Sequence, residues 1–159
     1  MIVGSILENQ KIEKRVAIVP EIIKKYKSLN CDVHLSRNYG KHLGIEDVEY
    51  EKEGANIVDD NKKIIENSDI IVQMGLLNSD YFPILKSNQI IIGVLDSYNN
   101  KEKLIELSKK KINLFSLELL PRITRAQSMD VLSSQSNLAG YRAVVDCVAE
   151  FEKAVPMMM

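Results

Sequence analysis

Residues Gln89 to Leu95 read QIIIGVL, the most continuous apolar strand-like run in this chain. A strand with one face in water alternates apolar and polar residues, and this run does not alternate. The segment Asp69 to Met74, DIIVQM, has the same character. Such runs are typical of strands that are covered on both faces, so this part of the sequence predicts a parallel sheet in an α/β protein.

On both sides of this run, strand-like and helix-like patterns alternate along the chain. The predicted strands are Met1 to Ile6, Cys31 to Ser36, Ala55 to Val58, Asp69 to Met74, Gln89 to Leu95 and Ile112 to Leu117, and the predicted helices are Glu21 to Leu29, Glu46 to Glu53, Asp60 to Asn67, Asn78 to Lys86 and Asn99 to Lys111. This alternation predicts a mostly parallel, doubly wound sheet of the flavodoxin-like or Rossmann-like kind, with helices on both faces.

A long helix is predicted to follow the last strand. Apolar residues recur there at three- and four-residue steps, as on one face of an amphipathic helix; they are Leu138, Tyr141, Val144, Val145, Val148, Phe151 and Val155. The pattern predicts a helix from Met129 to Val155 that ends before Pro156, with Ser128 as N-cap. The expected organisation is therefore an α/β domain over residues 1–128 and a long helix over residues 129–155.

Composition excludes several classes of protein. A chain of 159 residues is long enough for one domain with a substantial core, and a net charge of -1 disfavours nucleic acid and anionic membranes as partners. No run approaches eighteen apolar residues and the first residues lack a signal-peptide pattern, so a cytosolic chain is expected. Cys31 and Cys147 are predicted to be buried free thiols, and no Cys/His spacing indicates a metal site.

Polar chemistry gathers in the stretch Pro121 to Val144, PRITRAQSMDVLSSQSNLAGYRAV. Two interpretations of this stretch are open: a site for a polar ligand, or the ordinary capped start of a helix. Its first residues leave the carboxyl end of the last predicted strand, which is where parallel α/β sheets bind ligands. The chain has no GxGxxG and no GxxxxGK[ST] motif, so a complete dinucleotide site is not expected within it. The residues alone indicate an α/β domain that contributes a polar loop to a ligand site.

The same stretch resembles the alpha subunits of proton-translocating NAD(P) transhydrogenases. The rest of the chain is similar to the first domain that these subunits share with alanine dehydrogenase, through Glu8, the segment Arg15 to Pro20 (RVAIVP) and the pair Gly54-Ala55. The resemblance implies a further Rossmann domain, absent from this sequence, toward which the long helix would lead.

The resemblance also implies a function for the polar loop. In this family an Arg, a Gln, an Asp and a Ser close on the nicotinamide end of NAD(H), where it meets the NADP(H) held by a partner subunit. By motif these residues are Arg122, Gln127, Asp130 and Ser133, which are expected to serve both cofactor binding and catalysis. Direct hydride transfer between two nicotinamides needs close positioning rather than an acid, a base or a metal.

The implied cofactor is thus NAD(H), with NADP(H) on the partner subunit, and this chain alone is expected to be inactive. The implied partners are the NADP-binding and membrane subunit, the absent Rossmann domain and a second copy in a homodimer, which would place the chain at the inner membrane only through its partners. Two alternatives remain open, a non-catalytic interaction module of the same fold and an alanine dehydrogenase-like oxidoreductase. The second is disfavoured because alanine dehydrogenase has a lysine and a histidine where this chain has Gly75 and Asp96.

Overall fold

The computed structural model describes residues 1–153 and contains a six-stranded sheet. Its strands are β1 (Ile2–Ser5), β2 (Asp32–Ser36), β3 (Asn56–Val58), β4 (Ile70–Val72), β5 (Ile90–Gly93) and β6 (Asn113–Ser116). Every pair is parallel, and the spatial order is β3-β2-β1-β4-β5-β6. The predicted α/β class and parallel, Rossmann-like sheet are confirmed.

Five α-helices connect or follow the strands. They are α1 (Pro20–Ser28), α2 (Asp47–Lys52), α3 (Asn61–Asn67), α4 (Lys101–Lys109) and α5 (Val131–Glu150). Short 3₁₀ helices lie at Lys41–Leu43, Ser79–Ile84, Leu117–Leu119 and Thr124–Met129. The segment predicted as a short helix interrupted by Pro83, Asn78 to Lys86, forms the 3₁₀ helix Ser79–Ile84. Pro83 lacks the N–H that a continuing α-helix needs, so the helix stays short.

The long C-terminal helix is present, but its start differs from the prediction. Ser128 lies in the preceding 3₁₀ helix, and the N-cap is Asp130, whose Oδ1 accepts a hydrogen bond from the Ser133 backbone N–H at 2.9 Å. The helix ends at Glu150, followed by Phe151 in an extended conformation. The predicted end at Val155 and Pro156 lies outside the described residues.

Two apolar clusters cover opposite faces of the sheet. Along β4, Ile71 belongs to one cluster, whereas its neighbours Ile70 and Val72 pack against the other. Because successive side chains of a strand point to opposite faces, the two clusters lie on either side of the sheet. The first contains α3 and the Ser79–Ile84 turn, and the second contains α1 and Tyr50 of α2.

The chain divides into two compact units, Met1–Leu117 with the whole sheet and a second unit that begins at Glu118. Cys31 is buried in the first unit, as predicted, but Cys147 on α5 is exposed, so the prediction of a buried thiol there is wrong. Most apolar side chains of α5 are likewise exposed, which explains that error: the apolar stripe on which the burial was predicted is not covered. Within residues 1–153, no helix combines the length and apolar character needed to cross a bilayer.

A buried polar network joins the carboxyl end of β1 to its neighbours. The Ser5 hydroxyl donates to Gln73 Oε1 at 2.8 Å, and it lies 2.7 Å from the Tyr39 hydroxyl. Because Ser5 has one proton to give, Tyr39 donates to Ser5, and the Tyr39 oxygen accepts from the Ala17 and Ile18 backbone N–H groups at 3.1 and 3.3 Å. Burial raises the pKa of Tyr39 to about 12, so this hydroxyl stays protonated and able to donate.

The backbone of β5 at Gly93 lies close to the chain at the end of β4. A Cβ added at Gly93 would lie 2.4 Å from the Gln73 carbonyl oxygen, a backbone atom that cannot swing aside, whereas a Cβ at Gly140 on α5 would meet nothing within 4 Å. We expect Gly93→Ala to lower the free energy of unfolding by about 1–3 kcal/mol. Gly140→Ala should be neutral or raise it by about 0.5–1 kcal/mol through helix propensity. Urea denaturation followed by circular dichroism measures both, and equal effects would contradict the close strand approach.

Removing the Tyr39 hydroxyl should cost more than removing the matched hydroxyl of Tyr50. Tyr39→Phe leaves two backbone N–H groups without their acceptor, so we expect a loss of about 1–3 kcal/mol. Tyr50→Phe removes a single bond to the Ile18 carbonyl at 3.3 Å and should cost about 0.5–1.5 kcal/mol. Because the pKa of Tyr39 is raised by folding, its contribution is complete below the unfolded-state value near 10 and declines as pH rises toward 12. Urea denaturation of both variants and the wild type at neutral and alkaline pH measures the free energies of unfolding. It tests the larger loss in Tyr39→Phe and the decline of that loss as pH rises.

Candidate functional site

The polar loop forms a cavity of about 340 Å³ in the second unit. Its lining residues are Pro121, Arg122, Ile123, Thr124, Ala126, Gln127, Asp130 and Ser133. All four residues that the sequence predicts as site residues, Arg122, Gln127, Asp130 and Ser133, therefore line one cavity. The lining also includes Ile123, an apolar side chain to which the sequence analysis assigned no role.

Backbone hydrogen bonds within the loop hold this arrangement. The Ile123 N–H donates to the Pro121 carbonyl at 2.9 Å, and the Ala126 N–H donates to the Ile123 carbonyl at 2.9 Å. The Asp130 N–H donates to the Gln127 carbonyl at 3.3 Å, at the end of the 3₁₀ helix. Gln127 and Asp130 are therefore set on one short turn, with α5 starting directly after it.

The side chains of Asp130 and Ser133 are hydrogen-bonded to each other at the start of α5. Besides its backbone contact, Asp130 accepts a hydrogen bond from the Ser133 hydroxyl at 2.6 Å. The hydrogen bonds from Ser133 hold the pKa of Asp130 below its usual value, with a smaller contribution from the positive charge of Arg122. The site thus contains a carboxylate that is ionised at neutral pH and oriented by a neighbouring hydroxyl.

Arg122 and Gln127 differ from this pair because their side chains are exposed and make no hydrogen bond to any residue in the described part of the chain. Arg125, two residues before Gln127, is also exposed but does not line the cavity. A guanidinium and a carboxamide without internal partners can bind phosphate, carboxylate or amide oxygens of a ligand. The cavity combines these donors with the Asp130 carboxylate and an apolar wall.

This arrangement suits positioning better than acid–base or nucleophilic chemistry. The cavity contains no histidine, cysteine or lysine, and its serine donates to a carboxylate rather than to a general base. Among residues 1–153, no group of three or more His, Cys, Asp and Glu side chains is arranged to hold a metal ion.

A second cleft, of about 330 Å³, lies in the sheet unit where the loops after β1 and β4 meet. Glu8, Gly75, Asp96, Asn100 and Lys103 are among its lining residues. Glu8 Oε1 accepts hydrogen bonds from the Met74 N–H at 2.6 Å and the Gly75 N–H at 3.2 Å. Burial raises the pKa of Glu8, although the two backbone hydrogen bonds oppose that shift.

In the sequence, Glu8 is part of a family motif with no predicted contact. Its position three residues after β1, where a dinucleotide-binding turn would have glycines, was the available signal. The structure also places Gly75 and Asp96 in this same cleft. These are the two positions at which the sequence comparison with alanine dehydrogenase expects a lysine and a histidine.

Comparison with known proteins gives one family and two kinds of relative. The family model described as alanine dehydrogenase/PNT, N-terminal domain, matches residues 5–139. An NAD(P) transhydrogenase alpha-subunit protein of Rhodospirillum rubrum is 39% identical over 157 residues, which cover 96% of this chain and 41% of the relative.

Solved structures are similar to this chain in the same two kinds of protein, transhydrogenase and alanine dehydrogenase. The transhydrogenase of Sinorhizobium meliloti matches all of this chain and 47% of its own, at 40% identity and a TM-score of 0.88. An L-alanine dehydrogenase matches 74% of this chain and 32% of its own, with 19% identity and a TM-score of 0.68, a similarity of fold.

The present chain therefore spans less than half the length of these transhydrogenases. The family model covers most of the sequence, and the sheet order and the long C-terminal helix accompany it. The chain belongs to the family of alanine dehydrogenase/PNT N-terminal domains.

Proposed function

We propose that this chain is the N-terminal portion of the NAD(H)-binding component of a proton-translocating NAD(P) transhydrogenase. In this proposal the cavity of the second unit receives the nicotinamide end of NADH and holds it for direct hydride transfer to NADP⁺ on a partner subunit. The observation that carries the proposal is the convergence of Arg122, Gln127, Asp130 and Ser133 on one cavity, in a chain 39% identical to a transhydrogenase alpha subunit.

The residue types fit the requirements of hydride transfer. Gln127 can donate to and accept from the nicotinamide carboxamide, and Arg122 can donate to carboxamide or phosphate oxygens. Asp130, already held by Ser133, supplies a fixed acceptor for a ribose hydroxyl or for Arg122. Hydride moves directly between two nicotinamide rings, so the task of the protein is to hold the rings close and aligned.

The proposed partners follow from the same assignment. NADP(H) would be bound by a separate NADP-binding and membrane subunit, which would also carry out proton translocation and hold this chain at the membrane. The pyrophosphate and adenosine of NADH would be bound by a Rossmann domain of the same subunit. The exposed apolar side chains of α5 support a covering partner, either that domain or a second copy in a homodimer.

An alanine dehydrogenase activity is the weaker candidate. Gly75 places no side chain in the cleft of the sheet unit and Asp96 places an acid there, so neither supplies the lysine and histidine expected for amino-acid oxidation. An interaction module without catalysis would use Asp130 and Ser133 only as a helix cap, and it would leave the exposed Arg122 and Gln127 without a role.

The direct test is a chimera in which this chain replaces the matching segment of the Rhodospirillum rubrum alpha subunit. We expect the isolated chain to bind NADH weakly or not at all, because the remaining nucleotide contacts are missing, and the chimera to bind NADH in a fluorescence titration. With the NADP-binding component added, the chimera should transfer hydride from NADH to an NADP⁺ analogue. NADH binding without transfer would favour a binding module, and oxidation of NADH dependent on pyruvate and ammonium would favour alanine dehydrogenase.

Substitutions in the chimera separate positioning from binding. Gln127→Ala should slow hydride transfer by about 100-fold, the cost of a ring misplaced by about 1 Å, and should change NADH affinity little. Arg122→Ala should weaken NADH binding roughly tenfold, the effect of about 1.4 kcal/mol. Arg125→Ala is the matched control for Arg122, since it removes the same charge outside the cavity, and it should leave both quantities unchanged. Equal effects at the two arginines would show that net charge, not the cavity, matters.

A further inference from the structure

The strand order places a crevice in the middle of the sheet unit. All strands run in the same direction, but successive strands are added to one side of β1 as far as β3 and to its other side from β4 onward, so the strand order reverses between β1 and β4. In parallel sheets of this order, ligand phosphates bind where the loops leave the carboxyl ends of the strands at this point. The two loops that border the crevice are the one after β1, with Glu8, and the one after β4, with Met74 and Gly75.

Two successive backbone N–H groups converge at this crevice. The N–H groups of Met74 and Gly75 both point at one oxygen, Glu8 Oε1, at 2.6 and 3.2 Å. Successive amides that converge in a bend form a concavity that favours a negatively charged oxygen. The geometry is that of a small anion site, and an internal carboxylate from the opposite loop occupies it.

We propose that Met74 and Gly75 form an oxyanion site that Glu8 fills in place of a ligand, and that this closes the crevice of the sheet unit to phosphate groups. A phosphate oxygen placed there would have to displace a carboxylate that is bound by both amides. The domain therefore keeps the Rossmann-like strand order while excluding the kind of ligand that the order usually binds.

Apart from Glu8, the charged side chains around the cleft have partners or are balanced by an opposite charge. Glu13 is paired with Arg15 through bonds of 2.8 and 2.6 Å, and Asp96 accepts from the Asn99 side chain at 2.9 and 3.0 Å. Lys103 also lines the cleft and contributes a positive charge. The raised pKa of Glu8 is consistent with a carboxylate held in a partly desolvated place.

The test uses the full chain and inorganic phosphate, with amide chemical shifts of Met74 and Gly75 as the readout and sodium chloride at equal ionic strength as reference. Glu8→Ala and Glu8→Ser empty the site, so both should show saturable phosphate-dependent shifts at these two amides. Glu8→Gln retains an acceptor oxygen of the same reach and should show none. Glu13→Gln removes a nearby charge without opening the site, and it should behave like the wild type.

Three results would overturn the proposal. The first is a phosphate response in the wild type as large as in Glu8→Ala. The second is no response in a folded Glu8→Ala or Glu8→Ser variant. The third is a response in Glu13→Gln as large as in Glu8→Ala. If both emptied variants fail to fold, the wild type decides: the Met74 and Gly75 amide protons should shift upfield together as the Glu8 carboxyl is protonated. Amides that do not follow that titration would show that Glu8 does not occupy the site as an anion. NADH is absent from these measurements, so their outcome is separate from that of the proposed function.

Discussion

Parallel pairing of β1 with β2 on one side and with β4 on the other is the constraint on which the sheet unit depends. This pairing brings together the carboxyl ends of β1, β2 and β4, and with them the groups of the buried polar network. Ser5, Gln73 and Tyr39 come from three separate segments of the chain, yet their hydrogen bonds are 2.7–2.8 Å long. Each buried polar atom in this network has a partner, because an unsatisfied one would cost about 1–3 kcal/mol.

The centre of the sheet differs from a dinucleotide site in its turn and in its backbone amides. A dinucleotide site at the switch point needs free backbone amides and a glycine-rich turn after β1. Here the turn contains Ile6, Leu7 and Glu8. The Glu8 carboxylate accepts hydrogen bonds from the Met74 and Gly75 N–H groups on the loop after β4. Strand order alone thus does not decide whether such a crevice can receive a phosphate.

In the second unit, one residue serves two purposes. Asp130 caps α5 through the Ser133 backbone and hydroxyl, and it also lines the cavity beside Arg122 and Gln127. The two interpretations of the polar stretch, helix cap and ligand site, are therefore compatible. In the proposed function, capping fixes the direction of the carboxylate before the ligand binds, whereas Arg122 and Gln127, which lack such contacts, would be ordered by the ligand.

Local sequence patterns predicted the fold class and the position of the polar loop. Continuous apolar runs such as QIIIGVL and their alternation with helical patterns are local signals of strands buried on both faces. The structure has strands and helices at those places, with a 3₁₀ helix around Pro83. The four loop residues, Arg122, Gln127, Asp130 and Ser133, were predicted from the resemblance to the transhydrogenase family, and they lie within twelve positions of one another.

Contacts between residues distant in sequence depend on how separate elements pack, and no local pattern predicted them. The contact of Glu8 with Met74 and Gly75 joins residues more than sixty positions apart, and no periodicity encodes it. The choice of Asp130 rather than Ser128 as N-cap depended on where the 3₁₀ helix ended, and the exposure of Cys147 depended on what covers α5. Local patterns record backbone preference and burial along one element, whereas such contacts arise only when separate elements are brought together in space.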